Sequence, residues 1–359
     1  MQVRSRGSRR ALMVLAAAVL LLLAGCAEDA PMDFLEPEGP QARTVNNLMT
    51  WVWIIAGLVF VLVEGGILFI LWKFRARRGH EDDVPVQYHG NTKLEIGWTI
   101  APALVLAALA IPTVATVFDV AEKPDEALEV SVFGQQWWWE YRYEGMGDGG
   151  ADIITANELV IPAGTPVYLS MESRDVIHSH WFPKLNGKKD VAPGRTHYMT
   201  LEADPEDAGE SFLGQCAEYC GLSHANMRNK VRVLSPADFE QWLADMAEDA
   251  REPESQAERE GQEVFLGRGC AACHSIQGVS TPEEAIPLKS GAAPDLTHFA
   301  DRTVFAGATL DLNRNNVERW IRNPEALKPM APDLARGMPD LGLTEEEIDK
   351  VTAYLLSLK

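Results

Sequence analysis

GQCAEYCGLSHANM, residues 214–227, puts two cysteines, a histidine and a methionine into one short segment. A disulfide between Cys216 and Cys220 would close a very small loop. It would leave Met227 and the upstream His178 without a role. Zinc accepts thiolates and imidazoles, but a thioether is a poor zinc ligand. Thiolate, imidazole and thioether together favour copper. A single-copper electron-transfer site needs one Cys, two His and a long Met. Here a second cysteine is present. A thiolate can bridge two metals, so two cysteines allow a copper pair that shares charge and rearranges little per electron.

The chain has 359 residues, enough for two or three domains. Its formal net charge of -20 argues against nucleic acid as a partner and suits a surface that attracts basic proteins. The five cysteines are Cys26, Cys216, Cys220, Cys270 and Cys273. An odd count in an exported chain needs a reason, and the N-terminus supplies one. Arg4, Arg6, Arg9 and Arg10 precede an apolar run from Ala11 to Ala24, the layout of an export signal over residues 1–25. Leu23-Ala24-Gly25-Cys26 resembles the lipobox of bacterial lipoproteins. That resemblance implies a diacylglyceryl group on Cys26, which then becomes the first mature residue. The plainer alternative is an ordinary signal followed by a free cysteine.

After an exported segment, residues 26–48, a two-helix transmembrane hairpin is expected over 49–118. Met49 to Trp72 is apolar and long enough for a bilayer core of about 30 Å. Gly97 to Phe118 is the second span; Pro102 and Pro112 are tolerable where neighbouring helices re-satisfy the backbone. Lys73, Arg75, Arg77 and Arg78 place the connecting loop in the cytoplasm. Both termini then lie outside, in agreement with an exported Cys26. Glu64 sits inside the first span, where a carboxylate is costly. It is read as a neutral acid bonded to a neighbouring subunit, with proton transfer as the rival role.

Period-two alternation in LEVSVFGQQWWWEYRYE, residues 128–144, predicts one half-exposed strand. Trp137, Trp139, Tyr141 and Tyr143 share one face, and Trp138, Glu140 and Arg142 the other. ELVIPAGTPVYLSMES reads as strand, turn, strand. Residues 126–245 are thus expected to form a β-sandwich or barrel, closed by a helix capped at Ser235 and Asp238. Residues 246–258 read as an acidic linker.

Residues 259–359 read as a second electron carrier. Cys270-Ala271-Ala272-Cys273-His274 is CxxCH, the c-type haem attachment sequence, with His274 as an iron ligand. A redox CxxC is disfavoured, because the region lacks a βαβ pattern. The flanks resemble class I cytochrome c, an all-α domain. Pro294-Asp295-Leu296-Thr297 is similar to the segment whose proline backs the haem histidine, and TEEEIDKVTAYLLSLK to the closing helix. The sixth ligand is a choice between Met330 and Met338. Met338-Pro339 matches the family position, shortly before the last helix and on the opposite haem face.

The order His178, Cys216, Glu218, Cys220, His224, Met227 resembles the dinuclear CuA site of cytochrome c oxidase subunit II. So do GQQWWWEY, Asp175-Val176-Ile177-His178, Pro193-Gly194-Arg195 and Leu94-Glu95-Ile96-Gly97-Trp98-Thr99. The match covers residues 45–245. It implies a multi-domain membrane protein with a transmembrane hairpin, a cupredoxin domain and, here, a fused cytochrome c. By resemblance Cys216 and Cys220 bridge the coppers, and His178 and His224 bind one each. Met227 completes one copper and the Glu218 carbonyl the other, with the Glu218 side chain reaching a magnesium shared with subunit I. Trp137 is implied as the point where electrons enter, and Glu95 as the mouth of a proton channel into subunit I. Glu95 as a helix-end residue is the bland alternative. His180 is the rival to His178; the family spacing favours His178. His197, His80 and His89 are read as surface or hydrogen-bonding residues. Asp190 and Arg195 are divided between a structural role and facing subunit I haem propionates.

The expected function is electron relay in a bacterial cell membrane, from a cytochrome c or a cytochrome-containing donor complex. Electrons pass through haem c and CuA to subunit I, where oxygen is reduced with proton pumping. Subunit I and further oxidase subunits are the expected partners. The alternatives are a membrane-anchored electron shuttle or copper-delivery protein, the CuA domain of a nitrous oxide reductase, and a quinol oxidase subunit. The two spans count against the reductase, and the copper and haem motifs against the quinol oxidase.

Overall fold

A computed structural model of the chain describes residues 30–75, 86–280, 293–331 and 336–359, with residues 14, 17 and 84. Cys26, most of the export signal, and the loop residues Arg77, Arg78 and His80 lie outside the described residues.

Two apolar helices lead: α1 (Pro40–Lys73) and α2 (Thr92–Ala121). Both run past the spans expected from hydropathy. The 34 residues of α1 reach about 50 Å, against about 30 Å of hydrocarbon. Hydropathy marks only the part in lipid. The extra N-terminal turns are polar and begin at a proline, which fits a first helical position because its missing N–H is not needed there. They are tied down outside the membrane: Arg43 Nη2 donates to Asp204 Oδ1 at 2.7 Å. Asn91 caps α2 by accepting from the N–H groups of Lys93 and Leu94. Neither apolar window is buried within the chain. Surface of this kind is covered by lipid or by other helices.

The β domain contains β1 (Leu128–Gln135), β2 (Trp138–Tyr143), β3 (Ile153–Ala156), β4 (Glu158–Pro162) and β5 (Val167–Ser173). It continues with β6 (His178–Trp181), β7 (Lys188–Val191), β8 (His197–Leu201), β9 (Ser211–Gln215) and β10 (Arg228–Leu234). A five-stranded sheet in the order β3-β2-β1-β5-β8 packs over a three-stranded one, β4-β10-β9. The single strand expected over 128–144 is two. The chain folds back at Gln136 and Trp137, and β1 pairs antiparallel with β2. Gln136 N–H leaves the ladder to donate to Asp175 Oδ2 at 2.8 Å, which alternation alone does not signal. Trp139, Tyr141 and Tyr143 do share a buried face. The opposite face is not solvated as expected. Glu140 is buried there against Arg142 and Arg174, and both guanidiniums lie over the Phe133 ring. The predicted strand–turn–strand at 158–173 is present, but it crosses between sheets: β4 pairs with β10 and β5 with β1.

Helix α3 (Pro236–Met246), capped by Ser235, packs Trp242 on Tyr143 with ring centroids 5.1 Å apart. The cytochrome domain has α4 (Gln256–Gly267), α5 (Arg314–Arg322), α6 (Pro324–Leu327) and α7 (Glu345–Leu355). A capping box of Ser255 and Glu258 starts α4 inside the stretch read as linker. The polar outer face of that helix is what resembled one. Gly261 lets α4 approach α7, since a Cβ there would lie 2.1 Å from the Lys350 carbonyl oxygen. A small ribbon, β11 (Val304–Phe305) with β12 (Leu310–Asp311), adds to the helical domain.

Burial raises the pKa of the Glu140 carboxyl, but the adjoining Arg174 and Arg142 outweigh it and hold the group below the usual carboxylate range. A folded pKa lowered in this way contributes stability above the unfolded value, lost as pH falls through the folded one. Glu140→Gln leaves two guanidiniums against a neutral amide. It is expected to destabilise the β domain by about 2–4 kcal/mol near neutral pH and to flatten its acid limb below about pH 4. Thermal unfolding monitored by tryptophan fluorescence across pH measures both.

Candidate copper and haem sites

Four elements converge at one end of the β domain. His178 opens β6, Cys216 follows β9, Cys220 and His224 lie on the next loop, and Met227 precedes β10. The Cys216 and Cys220 sulfurs are 3.8 Å apart, too far for the bond of about 2.05 Å in a disulfide. His178 Nδ1 lies 4.0 Å from Cys216 Sγ, His224 Nδ1 3.7 Å from Cys220 Sγ, and Met227 Sδ 3.8 Å from Cys220 Sγ. The Glu218 carbonyl oxygen is 3.2 Å from Cys216 Sγ. Two thiols, two imidazoles, a thioether and a carbonyl thus sit with neighbouring donors 3.2–4.0 Å apart, a spacing at which two donors can share one metal. This soft donor set fits copper.

The cluster is held from behind. His178 Nε2 contacts Asp175 Oδ1 at 2.8 Å, which leaves Nδ1 for the sulfur side. Cys216 N–H donates to Met227 O, and Ala217 N–H to Ser179 O. Cys220 O accepts from Gln136 Nε2 at 2.7 Å and from Trp137 Nε1 at 3.0 Å. The paired thiols split in acidity. The contact with Cys220, helped by His178, holds Cys216 below the usual thiol range, while the same contact and burial raise Cys220. His180 is not at the cluster. It is enclosed by Trp139, Tyr141 and Phe182, and burial lowers it to about 3, so it is a neutral core histidine. Glu218 is near the cluster through its carbonyl. Asp190 sits on exposed β7. Glu95 lies in the first turn of α2. Glu64 is exposed on α1.

The cytochrome domain encloses a cavity lined by Cys270, Cys273, His274, Phe299, Trp320, Met330 and Met338. Gly269, with φ 85°, turns the chain into the CxxCH segment. His274 Nδ1 lies 2.7 Å from Pro294 O, which points the opposite ring nitrogen into the cavity. Met338 lies on the loop before α7. Met330 lies against Gly337 and packs on the β-domain core, and both methionines line the cavity. Two thiols, a backed imidazole and an apolar wall fit a covalently held haem. Gln136, Trp137 and Trp138 of the β domain line the same cavity.

Sequence reading missed several contacts. Asp175 was legible in principle, three residues before His178. Lys328, whose ammonium donates to Trp137 O across 191 positions, was not.

The fold and the two sites define a membrane-anchored electron-transfer protein with an extracytoplasmic β domain and a cytochrome on one chain. Residues 27–116 match the family described as the transmembrane domain of cytochrome C oxidase subunit II, and residues 149–234 its periplasmic domain. Residues 258–359 match cytochrome c. Cytochrome c oxidase subunit 2 of Alkalihalophilus pseudofirmus is 36% identical over 345 residues, 94% of each chain. That of Bacillus subtilis is 33% identical over 97% of each. The periplasmic domain of subunit II of the Bradyrhizobium japonicum oxidase is 29% identical, with a TM-score of 0.30, over 34% of this chain and 94% of that one. The chain belongs to the cytochrome c oxidase subunit II family and carries a cytochrome c domain. It is a subunit of a terminal oxidase, and its family implies CuA copper and haem c.

Metal analysis of the purified complex should assign two coppers to this chain, with an EPR pattern of shared spin. Cys220→Ser should abolish that pattern, and a one-copper spectrum in the unaltered chain would remove the dinuclear reading.

Met338→Ala is expected to keep covalent haem while losing the methionine–iron charge-transfer band and lowering the potential. Met330→Ala should do neither. Visible spectra and redox titration distinguish this from the reverse assignment.

Proposed function

We propose that the chain takes electrons one at a time from a cytochrome c or a cytochrome-containing complex and relays them to subunit I. Oxygen is reduced to water there, with proton pumping. When bound, haem c and the copper pair supply the one-electron carriers. Cys270 and Cys273 would hold the haem, with His274 and Met338 as the residues to ligate its iron. Cys216, Cys220, His178, His224, Met227 and the Glu218 carbonyl hold the coppers. The Glu218 carboxylate reaches a magnesium shared with subunit I. Cys26 carries the lipid, both termini lie outside, and the basic loop lies in the cytoplasm.

One observation carries this reading. Trp137 lines the haem cavity, and its indole Nε1 donates to the carbonyl of Cys220 at 3.0 Å. One side chain therefore touches both sites. Its ring is 4% exposed beneath the cytochrome domain, so a soluble donor cannot reach it directly. In this reading the donor meets the cytochrome domain and not Trp137. A free shuttle or a copper-delivery protein gives no reason for a haem cavity walled by the turn whose side chains bond Cys220 O.

Glu95 is proposed to collect protons from the cytoplasm for subunit I. Two variants in the intact oxidase separate the roles. Trp137→Phe should slow internal transfer from haem c to copper with both spectra preserved. Glu95→Gln should slow steady oxygen consumption while leaving that transfer unchanged. Normal turnover in both, with both centres intact, would overturn the assignments. An isolated chain that never co-purifies with a many-span partner would support the shuttle instead.

A further inference from the structure

The seam between the cytochrome and β domains holds a buried amine. Lys328 is 4% exposed. Its Nζ donates to Trp137 O at 2.7 Å and to Ala306 O at 3.1 Å. Among the described residues no carboxylate pairs with it. A lysine placed inside without a counter-ion is costly unless its donors are used. These two carbonyls, one from each domain, use two of its three. Burial pushes the amine down to about 7, but an ammonium and a neutral amine both carry N–H donors, so the bridge needs no particular charge.

The backbone beside it is strained. Ala306, Gly307 and Ala308 have φ of 55°, 75° and 51° in succession. Left-handed backbone costs an alanine about 1–2 kcal/mol and persists where the surroundings impose it. The surroundings here are Lys328 and Thr309 of the same domain together with backbone of the other. A Cβ on Gly307 would meet Lys328 Nζ at 2.3 Å, then Asn226 O at 2.7 Å and Trp137 O at 3.0 Å across the seam. Gly307 O in turn accepts from Arg228 N–H at 2.9 Å. The turn between β11 and β12 is therefore wedged between Trp137 and the loop that carries His224 and Met227. Only a residue without a side chain fits at its tip.

We propose that Lys328 and the 306–308 turn form a latch that fixes the cytochrome domain on the copper loop. Lys328 is the positioning residue for electron transfer between the two domains. The latch holds the haem cavity against Trp137, so transfer does not wait for a tethered domain to swing into place. This rests on both cofactors binding as proposed above.

The test uses the intact oxidase with Lys328→Met, which keeps the length and removes the donors, and Gly307→Ala, which intrudes on the Lys328 amine and on two carbonyls of the other domain. Hydrogen exchange at the Arg228 amide reads the latch whether or not electrons flow. It should speed up by about tenfold or more in each variant. Flash-initiated transfer from haem c to copper should be independent of viscosity in the unaltered complex. In both variants it should become slower and viscosity-dependent, with haem and copper spectra unchanged. Unaltered exchange and viscosity-independent transfer in both variants would overturn the latch. So would a changed haem spectrum in Lys328→Met with Arg228 exchange unchanged, because Lys328 would then serve the haem and not the seam. Should Lys328→Met fail to assemble, Gly307→Ala decides alone. No transfer in the unaltered complex would sink the relay itself and leave the exchange result standing.

Discussion

The carbonyl oxygen of Cys220 accepts two hydrogen bonds, from Gln136 and from Trp137. Much of the molecule is organised around that atom. It belongs to one of the two central thiols, so it sets the backbone on which Cys220, His224 and Met227 stand. Its donors come from the turn that ends β1. That turn is anchored in its own right, because Gln136 N–H is spent on Asp175, and Asp175 also backs His178. One carboxylate and one carbonyl thus link both walls of the copper site. No strong side-chain bond between sulfurs is required, since the donor atoms are positioned by backbone and outer hydrogen bonds.

The same turn faces outward to the cytochrome domain. Gln136 Oε1 accepts from Arg336, and Trp137 O from Lys328. Glu158, buried on β4, receives the Thr303 N–H at 3.0 Å, and Ser223 donates to Pro329 O. The seam is therefore polar and directional, unlike the greasy face of an obligate core. Hydrogen bonds of this kind fix orientation more than they add affinity. That suits the relay proposed between the two domains, which would depend on approach and angle. Tethering one domain to the other also makes docking intramolecular, so modest contacts suffice.

Some elements were legible from local chemistry. CxxCH with a following Pro294 segment signals a haem site because both cysteines and the histidine are covalent or coordinative neighbours in sequence. The cluster of Cys216, Cys220, His224 and Met227 is legible for the same reason. Hydropathy located both spans but not the polar turns of α1. The alternation of Trp139, Tyr141 and Tyr143 identified the buried face of β2. It did not show that the strand begins only after a fold-back at Gln136, because a chain that reverses between two strands keeps period two on either side. Nor did it show a buried Glu140, since its partner Arg174 lies 34 residues away.

Residue types and short spacings pointed to the chemistry the chain carries: two thiols, an imidazole and a thioether suited to copper and a CxxCH suited to haem, behind a membrane hairpin, with His178 added by the family resemblance. Those properties reside in individual side chains and near neighbours. Tertiary structure alone decided how the two sites are brought together. Trp137 lies between them, Lys328 crosses 191 positions to reach its carbonyl, and a turn at Gly307 fits against Asn226. Such contacts join segments remote in sequence, and a strained turn or a buried amine is tolerable only where the opposite surface supplies its partners.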